Sequence, residues 1–176
     1  MIVNISDRVR IEFERMVEFS RDTSFETGGF LTGGIGPEKI FLDKVIVPKS
    51  FLYTFPGYYG ENPGFKGNEA MASPTSVYFS DEFIERVRKL FPIGFVHTHP
   101  NNDEPFPSPD DLELGNGFPA LMAVDRVQTI LNLKGDFYVA LVPWPVALTS
   151  HLSPPDKKEF DRYVVYRANL NQLHPS

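Results

Sequence analysis

The stretch HTHPNNDEPFPSPDD, residues 97–111, holds two of the chain's four histidines with one residue between them. Side chains at i and i+2 of a strand share a face, so a strand running into His97 and His99 would converge them on one point. Two neutral imidazoles on one point are two ligands for a borderline cation such as zinc. The chain has no cysteine, which excludes thiolate ligands and leaves a carboxylate as the commonest third one. SPDD at 108–111 offers two. Ser108 is a good N-cap and Pro109 is favoured at the first helical position, so Asp110 and Asp111 fall in the first turn of a helix. Three protein ligands and a water make a catalytic zinc site, in which the metal lowers the water's pKa to about 7. Such a site needs a base, and the candidate is Glu26 in SFETGGFLTGG. It precedes a glycine-rich segment whose missing side chains let backbone or substrate come close.

Each of these residues also has a plainer reading. An isolated H-x-H pair is usually a polar strand end. Ser-x-x-Asp resembles a capping box, worth about 1 kcal/mol of helix stability. Alone, Glu26 is a solvated turn residue. The cap and ligand roles are compatible, because the cap would orient the helix that presents the ligand.

The elements that must position these groups follow from periodicity. Residues 6–20 place Val9, Phe13, Met16 and Val17 at helical spacing behind a Ser6 or Asp7 cap. GGFLTGG at 28–34 and KIFLDKVIVP at 39–48 read as strands joined at Gly36-Pro37. Residues 49–74 form a Pro/Gly/aromatic insertion loop, long enough for a lid or docking surface for a protein substrate, the alternative being a partly ordered insertion that only packs. TSVYFS at 75–80 is a strand, and 81–90 a helix with Phe83, Ile84, Val87 and Leu90 on its apolar face. PIGFVHTH at 92–99 is the strand that carries the histidines. PALMAVD, VQTILNL and DFYVALVP supply three more strands, and a helix over 154–173 closes the chain. Irregular alternation with hairpin-like strand pairs predicts a single α/β-type (α+β) domain, residues 1–176, whose mixed, largely antiparallel sheet is flanked by helices.

The 176 residues suffice for one substantial core, and 41% apolar with 23% charged residues is ordinary for a globular protein. A formal net charge of −6 argues against nucleic acid as a partner, because phosphate contacts need a basic excess. No apolar run approaches the ~20 residues of a membrane helix. The first residues lack a basic then apolar leader, and with no cysteine the expectation is a cytoplasmic protein. No G-x-S-x-G elbow, H-E-x-x-H helix or phosphate-binding glycine loop is present.

Taken together, Glu26 ahead of TGGFLTGG, HTHP at 97–100 and SPDDLE at 108–113 resemble the motif of the JAMM (MPN-plus) zinc metallopeptidases, prokaryotic stand-alone type. That motif is an upstream Glu, then His-x-His-Pro, a loop, and Ser-x-x-Asp. The resemblance spans roughly residues 5–145 in element order. It implies a cytidine-deaminase-like MPN fold holding one catalytic Zn2+. Carried over residue by residue, it makes His97, His99 and Asp111 the metal ligands. It makes Glu26 the group that takes a proton from the attacking water and returns it to the leaving amine, and Ser108 an oxyanion donor. The family's usual count from the second histidine arrives at Asp110, whereas Ser-x-x-Asp read from Ser108 arrives at Asp111. A loop absorbs an extra residue cheaply, but one helical step rotates a side chain by about 100°, which favours Asp111.

The resemblance further implies hydrolysis of a peptide or isopeptide bond after the C-terminal tail of a ubiquitin-like protein, free or conjugated. One alternative is trimming of a sulfur-carrier or other protein precursor. Another is a non-catalytic MPN-type scaffold, which would typically lack some of the ligands.

Overall fold

The computed structural model describes residues 1–54, 64–106, 125–143 and 156–174. Its first helix, α1 (Asp7–Thr23), starts where Ser6 accepts a hydrogen bond from the Val9 N–H, and it ends at Ser24, whose backbone is left-handed (φ 62°). Val9, Phe13, Met16, Val17 and Ser20 form its buried stripe, so the apolar face ends in a hydroxyl.

That stripe lies against a seven-stranded sheet in the order β1-β3-β2-β7-β8-β9-β10. Its strands are β1 (Ile2–Ile5), β2 (Gly28–Ile35), β3 (Lys39–Ile46), β7 (Gly94–His99), β8 (Asp125–Asn132), β9 (Asp136–Pro143) and β10 (Val164–Asn169). The β1–β3 and β7–β8 pairs are parallel and the other four antiparallel. Leu31, Ile40, Leu42, Val96, Val127, Leu131 and Val139 meet α1 in the main core. On the opposite face, Phe30 and Ile46 pack against Phe83 and Val87 of α2 (Asp81–Arg88). A smaller sheet holds β4 (Phe51–Tyr53), β5 (Ala70–Ser73) and β6 (Ser76–Phe79). The architecture is mixed α/β and dominated by sheet, as the alternation of elements predicts.

Four expectations change. The chain opens with β1, a strand too short to be read from four residues; it exists by pairing with β3. The insertion 49–74 is not all loop: its flanks are β4 and β5, with Ala70 and Ala72 buried, and residues 55–63 lie outside the described part. The helix expected over 154–173 is limited to α3 (Lys157–Asp161). Beyond it, Val164, Val165 and Tyr166 belong to β10, which pairs antiparallel with β9, and a 3-10 turn follows at Leu170–Gln172. β-branched and aromatic residues favour the pleated sheet edge over a helix there. Leu90, assigned to the apolar face of α2, is 47% exposed, because α2 stops at Arg88. Among the described residues, no helix is long and apolar enough to cross a membrane.

Candidate metal centre

β7 sits mid-sheet, between β2 and β8, and its alternation sorts its residues into two sets. Val96 and Thr98 face α1, whereas Phe95, His97 and His99 point to the side where Phe30, Phe79 and Phe83 cluster. The His97 ring stacks on Phe95, with centroids 5.0 Å apart and planes 26° from parallel, which fixes its plane. His97 is 1% and His99 5% exposed, and their Nε2 atoms lie 2.8 Å apart. The i, i+2 spacing has done what it predicts.

The Asn102 amide nitrogen lies 3.2 Å from His99 Nδ1. A neutral imidazole coordinated through Nε2 carries its proton on Nδ1, so in that state Nδ1 would donate to the carbonyl oxygen of the Asn102 amide. The two Nε2 atoms converge as two neutral imidazole ligands could on a cation bound at roughly 2.0–2.1 Å, so the pair fits zinc chemistry.

Glu26 stands just ahead of β2 and is 7% exposed. The β2–β7 register pairs Gly28 with His97, and the Thr98 N–H donates to the Thr27 carbonyl at 3.0 Å. Glu26 is the residue just before this Thr27–Thr98 contact. The Glu26 N–H donates to Ser73 O at 2.9 Å, tying it to the small sheet. Close approach is built in here. A Cβ on Gly28 would stand 3.1 Å from Val77 Cγ1 and 3.3 Å from His97 Cβ, and one on Gly29 only 2.6 Å from Ile46 O.

The chain leaving His99 is held from two sides. Asn101 donates to Pro74 O at 3.0 Å. Asn132, beside His99 in the parallel register, donates to Asp103 O at 2.6 Å. Further along, Glu104 pairs with Lys157, and Phe106 meets Phe160 of α3 edge to face at 5.9 Å. Asn132 also serves Asp136. Hydrogen bonds from Asn169 and then Asn132 hold the Asp136 carboxyl below its ordinary range, against a smaller opposing effect of burial.

Of the residues singled out by sequence, the structure brings His97 and His99 together and places Glu26 two residues before Gly28, the partner of His97 in the sheet. Ser108 and Asp111, with Asp110, lie outside the described residues. Among the described residues, no three His, Asp or Glu side chains form a metal-holding group. Ser20, Thr98, Asn102 and Asn132 were not legible as site residues, because only the fold makes them neighbours of the histidine strand.

No protein-family model matches this chain, and no curated protein does. Among solved structures, the solution structure of protein DSY2949 from Desulfitobacterium hafniense is similar at 16% identity, covering 79% of this chain and 84% of that one with a TM-score of 0.41. A likeness that distant carries no argument.

Proposed function

We propose that this chain is a zinc-dependent metallopeptidase or isopeptidase of the JAMM class, with a cytidine-deaminase-like MPN fold. The observation that carries the reading is the approach of His97 and His99 Nε2 to 2.8 Å on a buried strand end, with Glu26 two residues ahead of the Gly28 that pairs with His97. His97 and His99 would hold one zinc ion with Asp111 as the third protein ligand. When bound, zinc lowers the pKa of a water and polarises the scissile carbonyl. Glu26 takes the proton as the water oxygen attacks the carbonyl carbon. It returns that proton to the nitrogen as the C–N bond breaks, releasing an amine and a carboxylate. The Ser108 hydroxyl donates to the oxygen that gathers negative charge. The substrate is the extended C-terminal tail of a ubiquitin-like protein or its conjugate, in the cytoplasm, with trimming of a sulfur-carrier precursor as the nearest alternative.

The test uses the zinc-reconstituted full chain and two substrates. In one, a ubiquitin-like protein is extended past its C-terminal glycine by a peptide. In the other, it is joined to a lysine side chain. Cleavage after the glycine that stops with a chelator and returns with zinc is expected. A folded chain that holds no stoichiometric zinc and cleaves neither substrate would favour the scaffold reading.

A further inference from the structure

Thr98 lies between the two histidines, yet its side chain points away from them and is fully buried. Thr98 and Thr27 sit opposite each other at the end of the β2–β7 ladder. An antiparallel pair in this position exchanges two backbone hydrogen bonds. Here the Thr98 N–H donates to the Thr27 carbonyl at 3.0 Å, but the Thr27 N–H donates to Thr98 Oγ1, also at 3.0 Å. A side-chain hydroxyl has replaced the second rung. That hydroxyl is itself fixed, 2.6 Å from Ser20 Oγ at the polar end of the α1 stripe, and Ser20 is fully buried too. The next residue back along the chain is Glu26, whose N–H is held by Ser73 O at 2.9 Å. Glu26 therefore leaves the sheet between two fixed points, and the Thr98 hydroxyl is the one carried by the histidine strand.

We propose that Thr98 is a positioning residue whose hydroxyl, anchored by Ser20, sets where the Glu26 backbone departs from β7. It thereby sets the placement of the base relative to His97 and His99. The inference rests on the metallopeptidase reading for the role of Glu26. Its physical basis is that a reacting group misplaced by about 1 Å can lose about 10²-fold in rate. A valine keeps the branched shape of threonine and removes the hydroxyl, whereas a serine keeps the hydroxyl and removes the methyl.

The experiment compares zinc-loaded wild type, Thr98→Val, Thr98→Ser and Ser20→Ala by zinc affinity, kcat, KM and amide hydrogen exchange at Thr27. In Thr98→Val the expected result is unchanged zinc affinity and KM, faster exchange at Thr27, and a kcat lower by up to about 10²-fold. Thr98→Ser should restore both exchange and kcat, and Ser20→Ala should show a smaller loss of the same kind. Wild-type kcat and Thr27 exchange in Thr98→Val overturn the proposal, as does an equal loss in Thr98→Ser, which would assign the effect to packing of the methyl. If Thr98→Val does not fold, Ser20→Ala with wild-type kcat and exchange overturns it. A wild-type chain that holds no zinc and cleaves nothing overturns the functional reading itself, a result distinct from an active wild type matched by Thr98→Val.

Discussion

His97 and His99 bring their Nε2 atoms to 2.8 Å of each other at the buried end of β7. Strand alternation alone puts the two rings on one face. Stacking on Phe95 holds one ring, and the Asn102 amide beside Nδ1 holds the other. Each ring is thus oriented through a contact that leaves its Nε2 directed at its neighbour, which is how outer contacts set the direction of metal-ligating imidazoles.

The first prediction concerns that orientation. His99→Ala removes one of the two converging nitrogens, and stoichiometric zinc is expected to be lost on dialysis. Asn102→Ala leaves both nitrogens but removes the amide beside His99 Nδ1, so zinc affinity should fall by about 10–100-fold. Titration calorimetry of the two variants checks this. Full zinc retention in His99→Ala would remove His99 from the ligand set.

A second prediction separates proton transfer from metal binding. Glu26→Ala should retain zinc and lose cleavage, because Glu26 is assigned to move protons and not to ligate. Ser108→Ala should also retain zinc and lower kcat by about 10²–10³-fold if its hydroxyl stabilises the oxyanion. Loss of both zinc and fold in Glu26→Ala would sink the assignment of the base. Unchanged kinetics in Ser108→Ala would reduce that residue to a helix cap.

The insertion supports a third. Excising all of 52–72 would take most of β4 and β5, and with them the small sheet that holds the Glu26 N–H through Ser73. Replacing 55–63 alone with a Gly/Ser linker should spare zinc binding and the fold while weakening cleavage of a protein-sized substrate. Equal kcat/KM on that substrate before and after replacement would remove the insertion from recognition.

Acid stability gives a fourth. The Asp136 carboxyl is held below its ordinary value by hydrogen bonds from Asn169 and Asn132. A depressed folded-state pKa contributes stability above the unfolded value and loses it as pH falls through the folded one. Asn169→Ala should raise the Asp136 pKa toward normal and move the acid-unfolding midpoint to higher pH. Carboxyl NMR and circular dichroism across an acid titration measure both. An unmoved midpoint would leave Asp136 without a part in acid stability.

Much of the main sheet is legible in the sequence because β2, β3, β7, β8 and β9 carry apolar runs bounded by turns, and α1 shows a clean stripe. The C-terminal segment misleads because Phe160, Tyr163, Val164 and Arg167 also fit a helical spacing. The competing signal is the β-branched and aromatic run at 164–166, which wins once β9 offers a partner edge. β1 gives no local signal, since its partner β3 lies more than thirty residues away in register. The same divide runs through the site. His97 and His99 are visible because i, i+2 is a local rule. The link from Ser20 to Thr98 spans 78 positions, and nothing in either neighbourhood announces it.

The fifth prediction asks where the metal sits. Anomalous diffraction at the zinc edge, from crystals of the zinc-loaded chain, locates the ion and its ligands without reference to a substrate. One peak is expected at roughly 2.0–2.1 Å from Nε2 of both His97 and His99, and at roughly 2.0–2.2 Å from a carboxylate oxygen of Asp111, with Asp110 turned away. Asp110 in the ligand position would reverse the choice between the aspartates. No peak between the two histidines would contradict the metallopeptidase reading outright.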